Sequence, residues 1–116
     1  MQLRIKESAI NDLSIFIEQY ENALIKLYSD TGIWSEYVML ENLQKTTDTL
    51  FIDIFSEVRL RLSKKIVFGR KAPATFWTEI SFYARKRMVI VFYSENTKEQ
   101  VRWVESISID RKPIIF

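Results

Sequence analysis

The chain has no cysteine and no histidine. The first absence excludes disulfides, thiol nucleophiles and thiolate-ligated metal. The second removes the commonest general base near neutral pH and the commonest metal ligand, so a serine–histidine–aspartate triad is impossible. Glycine and proline occur only twice each, which leaves few breakers and predicts long helices and strands. No stretch approaches the roughly 18 apolar residues of a spanning helix, and no N-terminal apolar run resembles a signal peptide. The expectation is a cytoplasmic protein without a membrane partner. No phosphate loop, dinucleotide fingerprint, zinc motif or nucleophile elbow is present, and no metal or cofactor is expected.

What is present suits a single globular domain over residues 1–116, with 47% hydrophobic and 14% aromatic side chains. The formal net charge is only +2, but it is unevenly spread. Residues 1–63 carry six basic and ten acidic side chains, whereas residues 64–116 carry eleven basic and five acidic ones. This asymmetry either marks an anionic partner for the second half or is a dipolar surface with no partner.

Gln2 to Lys6 alternates polar and apolar and reads as a short edge strand, with Arg4 and Lys6 in water. Ser8 is placed to cap a helix. Ile10, Leu13, Ile17, Tyr20, Leu24, Leu27 and Tyr28 then give it an apolar stripe, and Asp30-Thr31-Gly32 ends it. A second helical segment begins near Ser35, carrying Val38, Met39, Leu43, Leu50, Phe51, Ile54, Val58 and Leu62. Its polar middle, Lys45-Thr46-Thr47-Asp48, leaves open whether residues 35–63 form one helix or two. Residues 64–75 read as a loop, with room for a short strand at Ile66-Val67-Phe68.

Three strands follow. Trp77 to Arg85 places Ile80, Phe82 and Ala84 on one face, and Lys86 lies at the turn. Met88 to Tyr93 is the apolar run of a central strand. Gln100 to Asp110 alternates, with Val101, Trp103, Ile107 and Ile109 on one face, interrupted by Glu105, and Arg102, Val104, Ser106 and Ser108 on the other. The order predicts an α+β fold, two or three N-terminal helices on one face of a small, mainly antiparallel sheet, with the other face left for function.

Carboxylate pairs such as Glu18 and Glu21, or Asp53 and Glu57, have the spacing of solvated helix faces. The remaining candidates are basic: Arg70 and Lys71 in the loop, Arg85, Lys86 and Arg87 around the first hairpin, Arg102 on the last strand, and Arg111 and Lys112 after it. Guanidinium groups bind phosphates bidentately and stabilise charge developing on a scissile phosphate. Tyr83 and Trp103 are placed to stack on bases if exposed. The plainer alternative is that hairpin tips and strand ends are charged for solubility and edge protection.

With its opening Leu3-Arg4-Ile5-Lys6 strand, the helix from Ala9 through Leu13, a second helical segment and then a meander, the chain resembles the RelE/ParE superfamily. The resemblance is most specific over residues 80–112. There Met88-Val89-Ile90-Val91-Phe92-Tyr93, a polar turn and Val101 to Ile107 look like the family's two C-terminal strands, and Asp110-Arg111-Lys112 is similar to its basic segment. The resemblance implies a toxin of a type II toxin–antitoxin system, with a cognate antitoxin as partner. The target would be messenger RNA on the ribosome, cut by a metal-independent endoribonuclease, or DNA gyrase. It matches Arg85 or Arg87 to the family's sheet arginine and Arg111 to the one after the last strand, which makes Arg85, Arg87 and Arg111 the catalytic candidates. Arg70, Lys71, Tyr83, Lys86, Arg102 and Lys112 remain, on their own chemistry, candidates for nucleic-acid or partner binding. The family's terminal tyrosine or histidine has no counterpart in Pro113-Ile114-Ile115-Phe116. A non-catalytic protein-binding module, such as an immunity protein or an inactive relative, is the alternative, with Trp34, Trp77 and Trp103 as aromatic anchors.

Overall fold

The computed structural model describes residues 1–31, 36–85 and 87–110. Gly32, Trp34, Ser35, Lys86, Arg111, Lys112 and the apolar tail after them lie outside the described residues, as do the side chains of Tyr28, Val38 and Met39. The elements run β1 (Gln2–Ile5), α1 (Glu7–Thr31), α2 (Glu36–Leu62), β2 (Arg70–Lys71), β3 (Thr78–Ala84), β4 (Arg87–Asn96) and β5 (Val101–Ile109). The strands form one five-stranded sheet in the order β1-β5-β4-β3-β2. β1 joins β5 in parallel, and the other pairings are antiparallel. Two helices on one face of this mixed sheet make an α+β domain.

Residues 36–62 form one helix. The polar middle does not break it: Leu43, Thr47 and Leu50 are buried on one side of it, and the hydroxyls of Thr47 and Thr49 donate to the Leu43 (2.9 Å) and Lys45 (2.8 Å) carbonyls. Threonine hydroxyls bonded to the preceding turn need no alternative backbone path. In α1 the expected stripe faces the core from Leu13 to Leu24, with Ile17 and Tyr20 partly buried against it, and its first member is displaced. Ala9, Leu13, Phe16 and Leu24 are buried, whereas Ile10 is exposed. Ala9 leads because the first turn lies flat against β5, where a small residue allows close approach.

The core lies between the helices and one face of the sheet. Leu13 and Phe16 of α1 and Leu50, Ile54, Val58 and Leu62 of α2 meet Phe82, Val89, Val91, Tyr93, Val104 and Ile107. The strand expected at 66–68 is displaced to Arg70–Lys71. Gly69 explains the displacement, since a Cβ there would collide with the Tyr93 hydroxyl, the Thr78 methyl and the Glu79 carbonyl. The chain can reach β3 closely enough to pair only after this glycine.

β5 is longer than β1, so its outer edge runs on unpaired beyond Val104. The first turns of α1 cover it. Ser8 does not cap its helix; its hydroxyl donates to the Glu105 carbonyl at 2.9 Å. One turn later, the Asp12 carboxylate accepts the Ile107 amide at 3.0 Å and the Ser106 hydroxyl at 2.6 Å. A helix thus supplies the hydrogen bonds that a sixth strand would have made.

Replacing Asp12 with alanine strands a buried amide and should destabilise the fold by about 1–3 kcal/mol. Asp12→Asn keeps an acceptor and should cost clearly less. Urea unfolding checks this: the midpoint should fall in that order with an unchanged slope, and equal midpoints for Asp12→Ala and the wild type would remove the edge role.

Candidate functional site

The faces of the sheet follow from burial and register. Phe82 and Ala84 of β3 and Val89, Val91 and Tyr93 of β4 are buried beneath the helices. Their alternates, Ser81 and Tyr83, then Met88, Ile90, Phe92 and Ser94, stand on the bare face.

β5 departs from simple alternation. Phe92 pairs with Ser106 and Tyr93 with Val104, so Glu105 is an extra residue opposite no partner. This β-bulge turns the strand over. Trp103 therefore lies on the open face and Ile107 on the helix face, although the alternation expected them together. Arg102, expected on the face with Ser106 and Ser108, is turned inward instead. The sequence signal was Glu105 itself, a carboxylate interrupting an apolar row.

The open face gathers aromatic rings and cations. The Arg4 guanidinium lies 5.7 Å from the centre of the Trp103 ring, and the Lys6 ammonium 5.8 Å from it. Lys6 Nζ is also 2.7 Å from Glu105 Oε2, and Ser94 Oγ donates to Glu105 Oε1 at 2.7 Å. Across the sheet, Trp77 and Phe92 meet at 6.1 Å between ring centroids, and Arg70 pairs with Glu79 at 2.8 Å. Tyr83 is 71% exposed at the far end of the face. Such a surface can hold an anion by charge and a planar base by stacking. Lys6 and Glu105 form an acid–base pair beside the Trp103 ring, and neither was a sequence candidate.

The described arginines named from sequence do not form one cluster. Arg85 turns towards α2 and pairs with Asp53 at 2.6 Å. Arg87 is opposite Ala84 and shares its helix-facing side, over the rings of Phe16 (5.3 Å) and Tyr20 (5.5 Å), with Nη1 donating to the Asp110 carbonyl at 3.1 Å. Arg70 alone of the described set reaches the open face. Lys71 is exposed on the edge strand β2. Arg111, Lys86 and Lys112 lie outside the described residues.

Arg102 is buried, 2% exposed, beneath the C-terminus of α2. Its Nη1 donates to the carbonyls of Leu62 (2.6 Å) and Lys64 (2.8 Å), and Nη2 lies 3.4 Å from the Glu95 carboxylate. The last carbonyls of a helix lack intrahelical partners and carry partial negative charge, so a buried guanidinium satisfies both needs. This places Arg102 in the fold rather than at a nucleic-acid surface. Among the described residues no three carboxylates converge as a metal site, and no helix is long and apolar enough to cross a membrane.

No family model, curated protein or solved structure matches the chain.

Removing the Arg102 guanidinium while keeping bulk, as in Arg102→Met, should cost about 3–5 kcal/mol, because the carbonyls of Leu62 and Lys64 and the Glu95 carboxylate all lose their donor. A loss below about 1 kcal/mol in urea unfolding would remove the capping role.

Tyr93 gives a pH prediction. Burial pushes its phenol above the ordinary 10.0, the nearby Glu95 carboxylate adds to the rise, and Arg102 opposes it. The folded state thus resists ionisation more than the unfolded chain does. Its contribution is complete below pH 10.0 and is lost as pH climbs from there through the raised folded value. Stability should fall on the alkaline side, and Tyr93→Phe should flatten that limb. An identical alkaline decline in the variant would assign it to other groups.

Proposed function

We propose that the protein is a toxin of the RelE/ParE kind, held in check by a cognate antitoxin, and that it acts through the open face of its sheet. The observation that carries the proposal is Trp103 between Arg4 and Lys6 on the face the helices leave bare. The order of an opening strand, two helices and a meander supports it, being the order on which the resemblance rests. RNA is the target this face suits best, because cations flank a stacking ring beside its apolar row of Met88, Ile90 and Phe92. If RNA is cut, the attacking group is the ribose 2′-hydroxyl. Glu105 would accept its proton as the 2′-oxygen bonds to phosphorus and the P–O5′ bond breaks, leaving a 2′,3′-cyclic phosphate. Water would return a proton to the departing 5′-oxygen, and cations would stabilise the charge developing on the phosphate. Lys6 is one of those cations, and Arg111, which follows β5 in sequence, is a second candidate.

One observation favours a non-catalytic protein-binding module as the second reading. Arg85, Arg87 and Arg102 are each engaged within the fold, which withdraws them from a shared phosphate site.

Ectopic expression should arrest bacterial growth, and co-expression of an adjacent partner gene should relieve it. Normal growth at confirmed soluble expression would shift the assignment to the binding module. In vitro, Trp103→Ala should weaken binding of single-stranded RNA roughly tenfold. Arg4→Ala should flatten the salt dependence of that binding. Growth arrest without RNA binding would redirect the target to a protein such as gyrase.

A further inference from the structure

The opposite edge of the sheet is built differently from the one α1 covers. β2 is the terminal strand there, and only two residues long. The chain on either side of it holds three large apolar side chains in water: Ile66 is 66% exposed, Phe68 92% and Phe76 101%. Between Lys64 and Trp77 there are four basic residues, Lys64, Lys65, Arg70 and Lys71, and no acidic one.

This segment is ordered by its own hydrogen bonds. The Ala72 amide donates to the Trp77 carbonyl at 3.0 Å, the Thr75 hydroxyl to the Ala72 carbonyl at 3.1 Å, and the Trp77 amide to the Thr75 hydroxyl at 3.2 Å. Ala74 takes a left-handed φ of 57° to close the turn. Gly69 is wedged against Tyr93 and β3 at the other end. Phe68 and Phe76 are therefore presented by a braced segment, so a partner would not have to order it first.

We propose that this edge is a docking site for an extended acidic peptide segment of a protein partner, added as a strand along β2. Ala72 is hydrogen-bonded inward to Trp77, so the antiparallel alternation turns the amide and carbonyl of Lys71 outward. An outward main-chain edge matches another main chain, which neither lipid nor RNA supplies. Two aliphatic side chains of the segment cover the two phenylalanines, and its carboxylates meet Lys64, Lys65 and Lys71. A second copy of this chain would bring the same basic edge against itself and be repelled. The inference goes beyond the toxin reading and does not require it.

The probe is a fluorescein-labelled peptide alternating glutamate with valine, about twelve residues long. It should bind the full chain saturably, and Phe68→Ser with Phe76→Ser should weaken binding at least tenfold, as should Lys64→Glu with Lys71→Glu. A backbone N-methylated peptide, which cannot pair as a strand, should lose binding to a similar degree. All four side chains are exposed, and circular dichroism should confirm unchanged folds. No saturable binding at millimolar peptide, or binding indifferent to these substitutions, overturns the proposal. So does phenylalanine-dependent binding of phosphatidylserine vesicles or polyuridylate in place of the peptide. The growth and RNA assays of Trp103 variants are unaffected by either result, so failure here is distinct from failure of the toxin reading.

Discussion

Glu105 stands opposite no residue of β4, and that one extra position turns β5 over halfway along its length. Before the bulge, Arg102 and Val104 face the helices and Trp103 faces out; after it, Ile107 and Ile109 take over the core. The bulge is fastened on several sides. Lys6 and Ser94 hold the Glu105 carboxylate, and Ser8 holds its carbonyl. A buried carboxylate needs such partners, because burial without them would cost several kcal/mol. The same residues fix where α1 begins relative to the sheet. Without the bulge, a strand that kept Ile107 and Ile109 in the core would turn Arg102 away from the α2 terminus and Trp103 away from the open face.

Both ends of the helical layer are tied to β5. Ser8 and Asp12 fix the start of α1 on its outer edge, and Arg102 fixes the end of α2 from below. The two attachments differ in strength. The α1 contacts are hydrogen bonds at a partly exposed edge, whereas Arg102 is almost fully enclosed. Among the described residues, the opposite edge has no comparable cover. It relies on a two-residue strand and on positive charge, a usual protection against indiscriminate pairing. Phe68 and Phe76 weaken that protection by offering apolar surface, and this contrast sets that edge apart.

Period and composition carried the fold class, because helices with one apolar side and strands with alternating burial leave direct traces. Leu13, Leu24, Phe82 and Val91 are buried as their spacing predicts. The unbroken α2 was less legible, since burial of Leu43, Thr47 and Leu50 across its polar middle is tertiary packing that local composition does not show. Ser8 looked like a cap because sequence shows its neighbours on the chain, not the strand edge beside it. The bulge was legible only as an anomaly: alternation can register an interruption at Glu105 without saying which half of the strand has turned.

The site was harder to read than the fold for an electrostatic reason. Charge counted along the chain marked the second half as a cationic surface, but a cation can be used in three ways. Arg102 is buried to satisfy a helix end, Arg85 is paired across to α2, and only groups such as Lys64 and Lys71 remain both charged and exposed. The cations best placed for an anion on the open face, Arg4 and Lys6, come from the acidic half. They arrive there because β1 joins the sheet in parallel beside β5, a pairing between residues about a hundred positions apart. A long-range strand pairing thus sets the polarity of that face, and no local count of charge can anticipate it.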